Sequence, residues 1–211
     1  MNRSQTQFLE LLRAGLWGVD VNPDNFKPEY TNWKAIARLA YEQAVGVIVA
    51  DAIETLPKDC CPPEDVILRF AMSRTKTLQM HKLLSATINQ IVTAFNEQGV
   101  HSVLLKGQAV AQNYRNPMSR SCGDIDLYTG LDGYDKAVKI IASLNQGKEH
   151  VYAEECVHHL HTCLNDIDVE IHRQASFIHG KRLNANFQKW TRDSIDKFFD
   201  TGNLETWNNA G

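Results

Sequence analysis

The sequence is defined first by what it does not contain. It has no run of about 18 apolar residues, so no membrane-spanning helix is expected. Positive charge is not in excess: 22 Lys and Arg stand against 25 Asp and Glu, a formal net charge of −3. That balance indicates neither nucleic acid nor an anionic membrane as a general partner. No Cys-x-x-Cys pair occurs, and Cys60, Cys61, Cys122, Cys156 and Cys163 make an odd set with a poorly pairing neighbour couple. Reduced thiols and a cytoplasmic location are therefore expected. The first residues, Met1 to Thr6, lack an apolar signal core. Internal repeats and low-complexity segments are missing as well. What is present is 211 residues with 43% hydrophobic content, enough for one packed domain or a core with a helical appendage.

The first hundred residues read as helical. Phe8, Leu9, Leu11 and Leu12 mark a short helix over 6–14 that closes near Gly15. Asn22-Pro23 and Lys27-Pro28 mark a loop. Thr31 is the expected cap of a helix from about Asn32 to Leu56, and a long helix follows from about Glu64 to Gln98, ending at Gly99. Arg69 and Arg74 on that helix are expected to face solvent. The period then changes. Val100 to Leu105 reads as a buried strand, Gln108 to Arg115 as a short helix, Asp124 to Thr129 as a second strand and Tyr134 to Asn145 as a helix. An edge strand is expected at 150–153, and helix and loop around Trp190, Ile195, Phe198 and Phe199. The expected division is a helical region over 1–99 and an α/β core over 100–211 with a C-terminal helical extension. Residues Glu205 to Gly211 carry no clear stop signal, which leaves open that the chain is part of something longer.

The chemistry concentrates in two places. In Asp124-Ile125-Asp126 the acids are two apart, so an extended backbone turns both to one face. Like charges side by side call for a cation or a proton between them, and Mg²⁺ takes carboxylate oxygens and substrate phosphates. The second place is a hairpin, His159 to Leu164 and Ile167 to Arg173, joined by Asn165-Asp166, two residues that tolerate positive φ. This turn sets His159 against His172, His161 against Glu170 and Cys163 against Asp168. All six share one face, and Leu160, Thr162, Leu164, Ile167, Val169 and Ile171 form the core side. The polar face is open to two readings. One is a zinc site from Cys156, His158, His159, His161 and Cys163. The other sets Glu170 or Asp168 beside Asp124 and Asp126, the three carboxylates that metal-dependent phosphoryl or nucleotidyl transfer uses.

Leu104-Leu105-Lys106-Gly107, then Tyr114, Arg120, Gly123-Asp124-Ile125-Asp126-Leu127 and Val169-Glu170-Ile171-His172 resemble the uncharacterised nucleotidyltransferase family of the polymerase-β-like superfamily. The resemblance covers roughly residues 30–175. It implies an α+β fold, a short mixed β-sheet flanked by helices, with Asp124 and Asp126 as the metal-binding pair and Glu170 as third carboxylate. It also implies Mg²⁺, at two metal positions, and an NTP, ATP in the first instance, with an acceptor left open. The triphosphate would lie near Gly107 and Gln108, with Lys106, Arg120 and Gly123 as further nucleotide-side residues. The broader superfamily carries Gly-Ser or Gly-Gly at this turn, whereas this chain has Gly107-Gln108. That departure supports an alternative, a catalytically inactive module that senses a nucleotide or partner. Lys106 is also able to pair with Asp124, and His172 to orient Glu170 or pack on His159.

Overall fold

The computed structural model describes residues 1–146, 153–155 and 158–200. Those residues form an α+β fold with seven α-helices and five strands. Contacts divide the chain into two compact units that interleave along the sequence. One is Met1–Lys82 with Gly107–Cys122; the other is Leu83–Lys106 with the described residues from Gly123 onward.

In the first unit, helix α1 (Arg3–Trp17) opens on a capping box between Asn2 and Gln5 and ends at Gly18 in the left-handed region. It outruns the expected 6–14 because Gly15 is an interior residue. A Cβ there would come within 2.0 Å of the Ile48 carbonyl oxygen, so glycine is what allows α1 to approach the later helix. Helix α2 (Trp33–Glu42) is capped by the Asn32 side chain, which accepts from the Ala35 N–H, rather than by Thr31. The single helix expected to reach Leu56 is broken at Ala44, whose φ is 54°, and resumes as α3 (Gly46–Ile53). The reason is the change of pattern. Segment α2 has one apolar face, whereas α3 is buried at every position but Asp51, and a helix apolar all round must turn into the core. Phe8, Leu11, Phe26, Trp33, Ile36 and Phe70 fill that core.

Arg74 does not face solvent freely, as its sequence position suggested. It pairs with Asp51 at 2.8 Å and Glu54 at 3.0 Å. Asp51 is the one acid on apolar α3, and an isolated charge there would be costly. The Ser119 hydroxyl and Asn116 amide donate to its other oxygen.

Helix α4 (Glu64–Glu97) matches its expected bounds closely, and the chain passes from one unit to the other within it, after Lys82. Helix α5 (Gly107–Ala111) is shorter than the expected 108–115, because a 3₁₀ turn at Pro117–Ser119, capped by Asn116, follows soon after.

The second unit holds a sheet of five strands in the order β1-β2-β5-β4-β3: β1 (Val103–Leu104), β2 (Asp124–Tyr128), β3 (Ala153–Glu155), β4 (His159–Leu164) and β5 (Ile167–His172). Strand β1 is much shorter than the expected 100–105. Val100 is instead used to close α4, its N–H donating to the Phe95 carbonyl around Gly99 at φ 67°. Strand β2 runs antiparallel to β1 and parallel to β5. The β4–β5 hairpin has the expected turn and register: Asn165 and Asp166 lie at φ 54° and 61°, with His159 opposite His172 and His161 opposite Glu170. Asn165 also donates to Thr87 and Gln90 of α4, tying the turn to the helix. Leu160, Leu164, Ile167, Val169 and Ile171 are buried. Helix α6 (Gly130–Leu144) starts about one turn before the expected Tyr134, packs on β4 and β5, and is tied to β4 by Asn145, which donates to the Cys163 carbonyl at 2.9 Å. Only residue 153 of the expected edge strand at 150–153 lies among the described residues, and it begins β3. Helix α7 (Lys181–Asp200) ends the described chain. Among the described residues no helix is long and apolar enough to cross a membrane.

Ile141 on α6 is 1% exposed. Ile141→Ala is expected to cost about 2–5 kcal/mol in denaturant unfolding, through lost burial and the cavity left behind. Gly15→Ala, which adds a methyl group and removes none, is expected to destabilise by about 1–3 kcal/mol because α1 must move away from the Ile48 carbonyl. A thermal melt unchanged from wild type would refute the close approach.

Candidate active site

Strand β2 supplies Asp124 and Asp126 on one side while Ile125 and Leu127 anchor the other in the core at 0% and 1% exposure. The parallel pairing of β2 with β5 sets Asp126 opposite Glu170 and Asp124 opposite Asp168. Three of the carboxylates expected to act together thus sit on the same face of two adjacent strands. Asp124 is exposed, Glu170 is half-buried and Asp126 is buried.

Asp126 is the centre of the electrostatics. Its side chain is only 1% exposed, yet it is ionised. Burial on its own would raise its pKa. Hydrogen bonds from His172 and Lys106, with their charges, outweigh that and hold the carboxyl to about 2. Lys106 Nζ donates to Oδ1 at 2.7 Å, and His172 Nε2 donates to the same oxygen at 3.0 Å. The lysine pKa rises in return, chiefly through this hydrogen bond. Of the two carboxylates within the reach suggested by sequence, Lys106 takes Asp126 rather than Asp124. The cause is backbone pairing: the Leu105 N–H donates to the Asp126 carbonyl at 3.0 Å, fixing the next residue beside that side chain.

His172 does both things expected of it. Its Nε2 lies 3.1 Å from Glu170 Oε2, and its ring lies 5.0 Å from that of His159, centroid to centroid. Its contact with Asp126 was not foreseen. The alternation that places it two residues past Glu170 was legible, but which carboxylate of β2 it would meet depends on the β2–β5 register. His159 Nε2 lies 4.0 Å from Glu170 Oε1. Burial pushes the His159 pKa down, Glu170 opposes that, and the neighbouring histidines reinforce it.

The residues fit a divalent cation. Asp126 Oδ2 is buried without a hydrogen-bond partner, an arrangement costly for a carboxylate oxygen unless something positive meets it. His159, Glu170 and His172 each present a ligand atom within 4.8 Å of the others. This set shares only His159 with the zinc ligands expected from the strand, and Cys156 of that expectation lies outside the described residues.

The residues expected on the nucleotide side fall in both units. Lys106 and Gly123 belong to the second, and Gly123 borders open space, where a Cβ would meet nothing within 4 Å. Gly107, Gln108 and Arg120 belong to the first. Gly107 opens α5 at φ 52°, a left-handed conformation that favours glycine. Gln108 is 2% exposed with neither amide atom bonded. Arg120 donates from Nη1 to Cys122 Sγ at 2.9 Å, and its carbonyl contacts the ring of buried His81 at 2.8 Å.

A family model described as uncharacterised nucleotidyltransferase matches residues 29–204. No curated protein and no solved structure matches the chain. The family match takes in helices α2 to α4 and the whole strand system that carries the acids. The chain therefore belongs to the uncharacterised nucleotidyltransferase family, and nucleotidyl transfer is its reaction class.

Proposed function

We propose that the chain transfers a nucleoside monophosphate from an NTP, ATP in the first instance, to an acceptor hydroxyl in a Mg²⁺-dependent reaction. The observation that carries this reading is the register that sets Asp126 opposite Glu170, with Asp124 two residues earlier on the same face. Asp124, Asp126 and Glu170 would hold the metal. Bound Mg²⁺ supplies Lewis-acid neutralisation of the charge that develops on the phosphates.

The chain's own groups do the rest. The acceptor oxygen attacks the α-phosphorus, the bond to the β-phosphate oxygen breaks, and pyrophosphate leaves. Glu170 takes the hydroxyl proton, directly or through water. Lys106 offsets triphosphate charge. Gly123, where a Cβ would meet nothing within 4 Å, leaves the backbone accessible to phosphate oxygens. The low pKa of Asp126 keeps it an anion, and so a ligand, throughout the neutral range.

A second reading rests on Gln108. Where the wider superfamily has a small or hydroxyl residue, this chain buries an amide with both polar atoms unbonded. That residue supports a module that binds nucleotide without turning it over.

Labelled NTP incubated with Mg²⁺ and candidate acceptors is expected to give transfer that falls at least about 100-fold in Asp126→Asn, the scale set by losing one transition-state electrostatic contact. Undiminished transfer in that variant would overturn the assignment. Thermal shift separates the two readings. NTP at about 100 times its Kd is expected to add about 2.7 kcal/mol of stability, only with Mg²⁺ present. That shift without any transfer would favour sensing, and no shift with any nucleotide would count against both.

A further inference from the structure

We infer that His159, Glu170 and His172 form a cation site of a different chemical class from the carboxylate pair on β2, one that takes a borderline first-row ion such as Zn²⁺ in preference to Mg²⁺. The argument begins with strand alternation. His159 is the first residue of β4, Glu170 and His172 share a face of β5, and the hairpin register sets His159 directly opposite His172. Two imidazoles and a carboxylate therefore meet on one side of a rigid two-stranded element whose other side is buried aliphatic core.

The distances suit an ion. Zinc bonds of 2.0–2.1 Å to nitrogen or oxygen put tetrahedral ligand atoms roughly 3.4 Å apart. His172 Nε2 and Glu170 Oε2 are 3.1 Å apart. His159 Nε2 and Glu170 Oε1 are 4.0 Å apart, so a small side-chain rotation closes the set. All three ligand atoms lie within 4.8 Å of one another. A second observation points the same way. The His172 ring nitrogen lies between Glu170 and buried Asp126. One ring proton is thus shared by two carboxylates, a concentration of negative charge that a nearby divalent ion would offset.

The donor set decides the ion. Mg²⁺ takes oxygen ligands and parts reluctantly with water, whereas imidazole suits zinc and its neighbours. Glu170 is common to this site and to the acids assigned to transfer. The inference does not rest on transfer, because ion binding is read directly.

The test is chelator-competition titration of the full chain with Zn²⁺, and with Co²⁺ as a visible-absorbing substitute. Wild type is expected to bind one equivalent of Zn²⁺ that millimolar Mg²⁺ does not displace, and Co²⁺ is expected to show ligand-field bands. His159→Ala is expected to weaken Zn²⁺ about 100-fold or more, beyond the usual effect of losing a residue that only supports a ligand, and to erase the Co²⁺ bands. His161→Ala, on the same strand and face but outside the set, and Asp124→Asn are expected to bind as wild type. Far-ultraviolet circular dichroism checks the fold of each variant. Equal Zn²⁺ affinity in His159→Ala and wild type, displacement by Mg²⁺, or an equal loss in His161→Ala would each overturn the site. A failure of nucleotidyl transfer with Zn²⁺ binding intact would sink the proposed function and leave this inference standing.

Discussion

A carboxylate that is almost fully buried and still ionised is the constraint on which the second unit turns. Removing Asp126 from water would by itself favour its neutral form. Lys106 and His172 reverse that preference, each from a different segment, one just past β1 and one at the end of β5. Each contact depends on strand pairing. The β1–β2 ladder delivers Lys106, and the β2–β5 ladder delivers His172 and Glu170. If either ladder slipped by one residue, side chains would exchange faces and Asp126 would be left as a buried charge without a counterpart.

The same alternation builds the core and the proposed site together. Ile125, Leu127, Val169 and Ile171 are fully buried between the acids and histidines of β2 and β5. Packing on one face therefore fixes the spacing of charges on the other. Strand pairing thus sets, at the backbone, which of these side chains meet. The cost is visible in Asp126 Oδ2, which folding leaves without a partner. Such an unmet group fits a binding centre better than a purely structural ion pair.

In the first unit the comparable feature is Asp51. It is the lone acid of an otherwise buried helix, and it is met by Arg74, Ser119 and Asn116. The cluster ties α3 to α4 and to the turn before Arg120. The contrast between a closed network around Asp51 and an open one around Asp126 separates scaffold from candidate chemistry without reference to any relative. Family membership adds the reaction class, nucleotidyl transfer.

What the sequence determined by itself was whatever depends on near neighbours. The Asn165-Asp166 turn tolerates positive φ and so set the β4–β5 register and the faces of six side chains. The spacing of Asp124 and Asp126 set them on one side, and the uninterrupted helical pattern from Glu64, closed by Gly99, set a single long helix. Where the chain depends on distant segments, only the tertiary structure decided. The helix expected to reach Leu56 breaks at Ala44 because its second half must enter a core that is not local to it. Arg74 meets Asp51 across 23 positions, and Lys106 meets Asp126 rather than Asp124 because a backbone hydrogen bond from Leu105 sets the pairing. Parallel strands carry no turn between them to encode their alignment, so the match of Asp126 with Glu170 comes from packing the whole sheet.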